Sequence, residues 1–320
     1  MSDGLYSVAV GCSITSTYRV DVYHLTTDEL TALEYGFPCQ TGNAKLSVRL
    51  LGADPSGTAQ VNWGIGVDGF ALAPSTTLDV HAGTNDLVAT TGPTRALPQR
   101  MVIKRDLAVS SDTSLDVDFA DPSGFALVPV MNNLSGTPEA VFISDGGTPI
   151  SLGLGDFVYS VPPSAMAPGD LHMLSMSRSD VLDGSSATAG TQRVARELPT
   201  TVSAPRFIAE SPMLTTVKAG MNVAAVQARW TPQADAVMYR MGSSLVGHWV
   251  NVSPGAFDAM GMLELPDLST IPGWDPTLAV IPLTQYWYVF MNTGADIVEH
   301  LRPLPSHEEE LQRSGWRLVL

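Results

Sequence analysis

The segment LDVDFAD holds three carboxylates, Asp116, Asp118 and Asp121. On a β-strand Asp116 and Asp118 fall on one face, and Asp121 lies just beyond, in the turn. Grouped carboxylates suit a hard, oxygen-seeking cation such as calcium; apart from that, only a zinc site assembled from histidines of distant segments is left open, and no cofactor is otherwise expected. The spacing matches no calcium-binding loop, and aspartates on the solvent side of a strand also keep an edge soluble. The histidines offer less. His24, His81, His172, His248, His300 and His307 include no pair at zinc-ligand spacing and no H-E-x-x-H. Pro303 and Pro305 keep His300 and His307 off a common helix face.

Nucleophilic chemistry has no complete signature. G-x-S-x-G and S-x-x-K are absent. Gly242-Ser243-Ser244 follows a strand-like run, but it lacks the second glycine and the helix of a nucleophile elbow. A hydrolase built here would need His248 and an acid to meet Ser243 or Ser244 from distant segments. The glycines of Gly64-Ile65-Gly66 with Gly69 spell G-x-G-x-x-G, yet strand and turn residues follow, so no helix N-terminus is offered to a phosphate. The only cysteines are Cys12 and Cys39. A bridge between them would close a loop of about 27 residues, contribute about 3–4 kcal/mol, and place the protein outside the reducing cytosol. Two unrelated buried thiols are the alternative.

Aromatic residues supply the candidate binding site. Trp274 sits between Pro272-Gly273 and Asp275-Pro276, a loop context, and Trp249 and Tyr288 lie near it in sequence. Exposed Trp and Tyr stack on sugars or anchor protein partners, and the competing role is closing a hydrophobic core from its edge.

The elements that would position these residues are strands. In residues 222–241 (NVAAVQARWTPQADAVMYRM), Val226, Ala228 and Trp230 alternate with polar neighbours, and after a turn-like stretch Val237, Tyr239 and Met241 resume the alternation. The pattern predicts a hairpin whose Trp230 and Tyr239 fill a sandwich core. Similar runs predict strands at 6–12, 18–24, 33–39, 45–51, 59–64, 77–82, 86–90, 100–107, 114–119, 125–131, 140–144, 157–161, 170–177, 192–197, 215–218, 278–281 and 287–292. Gly83-Thr84-Asn85 reads as a hairpin loop, residues 179–190 as a polar loop, and Ser253-Pro254 as the start of a short helix. Ser306-His307-Glu308-Glu309 has capping-box spacing, which predicts a short helix ending at Gly315.

At 320 residues with 44% hydrophobic content, the chain can bury a sizeable core. The 28 Gly and 23 Pro are scattered between short apolar runs, as in proteins of many strands and turns. The expected fold is all-β, tandem β-sandwich domains with borders at 1–122, 123–200 and 201–320. The net charge of −15 argues against nucleic acid and anionic lipid as partners. No apolar run reaches membrane-spanning length, and the N-terminus MSDGLYSVAVGC lacks the basic segment and cleavage site of a signal peptide. Arg outnumbering Lys, with much Ala, Gly and Pro, points to a GC-rich bacterial genome.

Trp230-Thr231-Pro232 followed by Ala236 and Tyr239 resembles the second- and third-strand region of fibronectin type III domains. Lys45 to Thr90, ending AGTNDLVAT, resembles carboxypeptidase regulatory-like or transthyretin-like modules of secreted bacterial proteins. Both resemblances imply an extracellular accessory module without catalytic residues. The expected function is a secreted, periplasmic or surface-exposed binding or scaffold protein, its ligand a polysaccharide or another protein, with a hydrolase assembled from distant strands as the alternative.

Overall fold

A computed structural model describes residues 5–14, 17–26, 43–54, 56–64, 67–71, 74–120, 122–131, 136–182, 185–207, 213–220, 223–229, 235–243, 248–258, 260–264, 286–294 and 307–319. It is almost entirely β-strand, as the composition and alternation predict. Strands β1 (Leu5–Ile14) and β2 (Thr17–Thr26) form a hairpin. Next come β3 (Ala44–Leu51), β4 (Thr58–Trp63), β5 (Val67–Ala71), β6 (Ser75–Val80), β7 (Gly83–Gly92), β8 (Arg100–Val109), β9 (Thr113–Asp118) and β10 (Phe125–Ala126). These eight make two sheets, ordered β6-β3-β9 and β10-β8-β7-β4-β5. Then follow β11 (Val128–Met131), β12 (Thr137–Ile143), β13 (Pro149–Leu154), β14 (Phe157–Ser160), β15 (Leu171–Leu182) and β16 (Ser185–Ala195). The last group is β17 (Met213–Gly220), β18 (Val223–Arg229), β19 (Met238–Ser243), β20 (His248–Val252), β21 (Met262–Glu264), β22 (Tyr286–Thr293) and β23 (Glu309–Val319).

The largest sheet has ten strands in the order β1-β2-β20-β19-β22-β23-β16-β15-β12-β13, antiparallel except where β2 meets β20. It draws strands from each of the three expected segments, 1–122, 123–200 and 201–320. A ribbon of β11 and β14 and a small sheet β17-β18-β21 complete the described architecture.

Alternation explains the outer layer. Along β3, Ala44, Leu46, Val48 and Leu50 are buried while Lys45 and Arg49 are exposed, so one face packs and the other is wet. In the five-stranded sheet β4, and β7 from Asp86 onward, are buried on both faces. In β7, Leu87 and Ala89 join a core with Leu46, Val61, Trp63 and Phe119, whereas Val88 between them turns to a second core with Met101, Phe142, Ile150 and Leu174. Three layers result at this end: β6-β3-β9, then β10-β8-β7-β4-β5, then the β13-β12-β15 end of the ten-stranded sheet with the β11–β14 ribbon. Each fully buried Leu, Val or Phe contributes about 1.5–3 kcal/mol through removal from water.

Several local expectations give way to tertiary pairing. Residues 306–315 carry helix-start letters, but Glu309–Val319 is a strand hydrogen-bonded on both sides, to β22 and β16. Two complete ladders outweigh a capping preference of about 1 kcal/mol. Residues 179–182 and 185–190 are strand rather than loop: β15 and β16 stay paired out to Leu182↔Ser185, and Asp183 and Gly184 lie outside the described residues. Gly83, Thr84 and Asn85 belong to β7 and pair with β8, so β6 and β7 lie in different sheets and form no hairpin. Likewise β18 pairs with β17 and β21 while β19 joins the ten-stranded sheet, so the predicted 222–241 hairpin is a crossing between sheets. Tyr239 is fully buried, against Phe257 edge-on, and Trp230 lies outside the described residues. Ser253-Pro254 does open a short 3-10 turn, Pro254–Ala256, with Pro at its first position; the Ser253 hydroxyl accepts instead from the Thr26 N–H.

Candidate functional site

The two described aspartates of the acidic segment, Asp116 and Asp118, are both hydrogen-bonded within the chain. Asp116 stands opposite Arg49 of β3 in the parallel ladder. Arg49 grips it bidentately, Nε donating to Oδ1 at 2.8 Å and Nη2 to Oδ2 at 2.5 Å. That hydrogen-bonded cation holds the Asp116 carboxyl below its ordinary range. Asp118 Oδ1 accepts from the Ala120 N–H, closing the turn after the strand. Asp121 lies outside the described residues, and among those described no three His, Cys, Asp or Glu side chains are grouped to hold a metal. Cys12 is opposite Arg19 in the β1–β2 hairpin; Cys39 lies outside the described residues, among which no disulfide occurs.

The G-x-G-x-x-G match is a strand–turn–strand unit. Gly64 sits at a φ of 55° directly after β4, and β5 pairs back onto β4 with Trp63 opposite Val67. The Gly64 N–H is taken by the Thr148 hydroxyl at 3.0 Å, so that amide is not offered to a phosphate.

Two of the three aromatic candidates share one register row of the ten-stranded sheet. Gly242 of β19 is the register partner of Trp249 on β20 and of Tyr288 on β22. Residues directly opposite one another share a face, so Trp249 and Tyr288 lie on the same face with Gly242 between them. The row continues to Asp21 beyond Trp249 and to Arg317 beyond Tyr288. Trp274 lies outside the described residues. On the opposite face Ser243 pairs with His248. That row runs on to Val20 and Gly11, and the next on the same face holds Met241, Val250, Val22 and Ala9; none of these named positions is an Asp or Glu.

Among the described residues, the densest charged cluster is one that the sequence does not suggest. A bulge in the β7–β8 ladder leaves Asp86 facing Arg105 and Asp106, and Asp106 takes a φ of 49°. The Asp106 N–H donates to Asp86 Oδ1 (3.0 Å) and the Gly146 N–H to Asp86 Oδ2 (3.2 Å). Arg105 reaches across to Asp170, just before β15, with Nη1–Oδ1 2.9 Å and Nη2–Oδ2 2.6 Å, and its Nη1 also lies 3.4 Å from Asp86 Oδ2. Asp170 further accepts from the Asp145 and Ala167 N–H groups at 2.8 and 2.7 Å. Both carboxylates are buried, Asp170 completely. The Asp170 hydrogen bond raises the Arg105 guanidinium above its ordinary value, with Asp86 and Asp145 adding attraction. Four donors saturate Asp170 and three hold Asp86, so the carboxylates are committed to structure and the cluster fastens two layers together. Asn62 adds a neutral tie across the same boundary, donating from Nδ2 to the Pro149 carbonyl. No local signal could have found this site, because 65 residues separate Arg105 from Asp170.

Next to it, buried His172 accepts from the Val161 N–H at Nε2 (3.0 Å) and bonds the Arg196 carbonyl through Nδ1 (2.7 Å). Burial lowers its imidazole from the ordinary value, against smaller opposing effects of the Arg196 carbonyl and Asp170.

No protein-family model matches the chain, and no curated protein or solved structure shows significant similarity to it. The class supported at this point is an all-β protein of several, mainly antiparallel, sheets. No helix among the described residues is long and apolar enough to cross a membrane.

Proposed function

We propose that this chain is a non-catalytic binding or scaffold protein of the cell envelope or extracellular space, built from sandwich-like modules of the fibronectin type III kind, with a polysaccharide or protein ligand. The observation that carries the reading is the row in which Gly242 separates Trp249 from Tyr288. Strands lie about 4.8 Å apart, so two aromatic positions two strands apart are separated by about 10 Å, with no Cβ between them. That spacing suits two rings of a glycan or two apolar side chains of a partner. Asp21 and Arg317, the next positions of the row on either side, supply residue types able to fix orientation through polar contacts. The charge of −15 turns the choice away from nucleic acid.

A panel of soluble polysaccharides and surface proteins, screened by calorimetry against the full chain, tests this. Trp249→Ala and Tyr288→Ala should each weaken a hit by more than about 1 kcal/mol, roughly fivefold or more. Binding unchanged in both variants removes the site. A hydrolase remains the second reading because Ser243 stands opposite His248. Covalent capture of Ser243 by a fluorophosphonate, lost in His248→Ala, would reverse the order of the two.

A further inference from the structure

The loop of residues 161–170 leaves β14, makes a 3-10 turn at Pro163–Ala165 and returns to β15. Its side chains Ala165 and Met166 pack on the second core. Val161 N–H to His172 Nε2 and the Pro168 carbonyl to Arg196 Nη1 at 2.9 Å fasten it from outside, and Ala167 N–H to Asp170 Oδ2 closes its far end, where Asp170 is itself held by Arg105. The first depends on the protonation state of an imidazole.

The tautomer follows from the partners. A carbonyl only accepts, so the proton of His172 is on Nδ1, facing Arg196; an amide N–H only donates, so Nε2 carries the lone pair facing Val161. The ring is 1% exposed and meets Phe142 edge-on at 5.8 Å. A second proton can go only to Nε2, where it would point at the Val161 N–H. That proton breaks the bond, orphans a buried amide and sets a cation in the core.

We propose that His172 is a proton-operated latch: uptake of one proton from solvent at Nε2 releases Val161 and the β14 end of this loop, while Asp170 and Arg196 keep the other end in place. The charged groups around the ring do not replace the lost bond. Asp170, two residues before the ring, is engaged by Arg105; on the β16 side Arg193 bonds Thr201 and Arg196 bonds Pro168, with Glu308 accepting the Arg196 N–H. From β12 the register partner is Phe142, with Glu139 further along the strand. Release at Val161 loosens β14, which pairs Phe157 with Met131 in a ribbon where both are exposed. The latch therefore couples mild acid to the mobility of an apolar surface ribbon.

Amide exchange of the full chain, expressed as protection over the unfolded rate, tests the latch between about pH 7.5 and about pH 5. Val161 should lose about tenfold protection per pH unit once the ring begins to protonate, in step with the His172 ring ¹⁵N shifts, while Ala167 stays protected. His172→Gln, whose amide oxygen can accept from Val161, should remove the pH dependence. Loss of Val161 and Ala167 protection together would mean general unfolding and overturn the proposal. So would constant Val161 protection over this range.

Discussion

Arg105 and Asp170 form a bidentate ion pair across the boundary between the five-stranded sheet and the ten-stranded sheet, the carboxylate completely buried and the guanidinium partly exposed. The pair, with Asp86 on its other side, adds a charged tie to two layers that otherwise meet mainly through apolar side chains.

Removing one partner leaves the other charge without its counter-ion in a desolvated place. Asp170→Asn should therefore destabilise the protein by about 3–5 kcal/mol. Denaturant unfolding would show a lower midpoint at unchanged slope. A loss under about 1 kcal/mol would mean that the clasp is strongly hydrated and of little energetic weight.

The pH dependence of His172 has a definite sign. Burial depresses the folded imidazole below its ordinary value of 6.5, so the unfolded chain binds the proton more readily. Stability from this group is complete above about pH 6.5 and declines as pH falls towards the folded value. Thermal midpoints of the wild type should fall over that window more steeply than those of His172→Gln. Parallel curves would show that the imidazole contributes nothing.

Gly153 in β13 adopts a φ of 120°, and a Cβ there would stand 2.8 Å from the Phe157 carbonyl oxygen. Gly153→Ala should cost about 1–3 kcal/mol and disturb the neighbouring β14 first. Unaltered stability and unaltered exchange at Val158 would contradict this account.

The β9 aspartates should not respond to calcium. Asp116 is exposed and engaged by Arg49, and Asp118 caps its own turn. Millimolar calcium should leave the melting temperature unchanged in wild type and in Asp116→Asn. A calcium-dependent rise abolished by that substitution would establish an ion site at these aspartates.

Strand positions are legible in the sequence where one face is wet and the other dry. In β3 and β9, Leu46, Val48 and Val117 alternate with Lys45, Arg49 and Asp116, and the period is the burial itself. Legibility fails where both faces are covered or where neighbours set the structure. The letters of β13 (PISLGL) do not announce a strand, and those of β5 read only as the tail of the glycine motif. Glu309-Glu310-Leu311 has helix-start chemistry yet forms ladders with two strands brought from far along the chain. Of the candidate site, the residue types of Trp249 and Tyr288 are readable, but their alignment about Gly242 is not, since register is a property of strand pairing.

The amino-acid sequence by itself determined that this protein is all-β, strongly acidic and rich in short alternating runs, because side-chain period and charge are local quantities. Only the tertiary structure decided which strands share a sheet, that β4 and most of β7 are buried on both faces, and that Asp86, Arg105, Asp170 and His172 converge. Those outcomes depend on contacts between residues tens to hundreds of positions apart, and no local period encodes them.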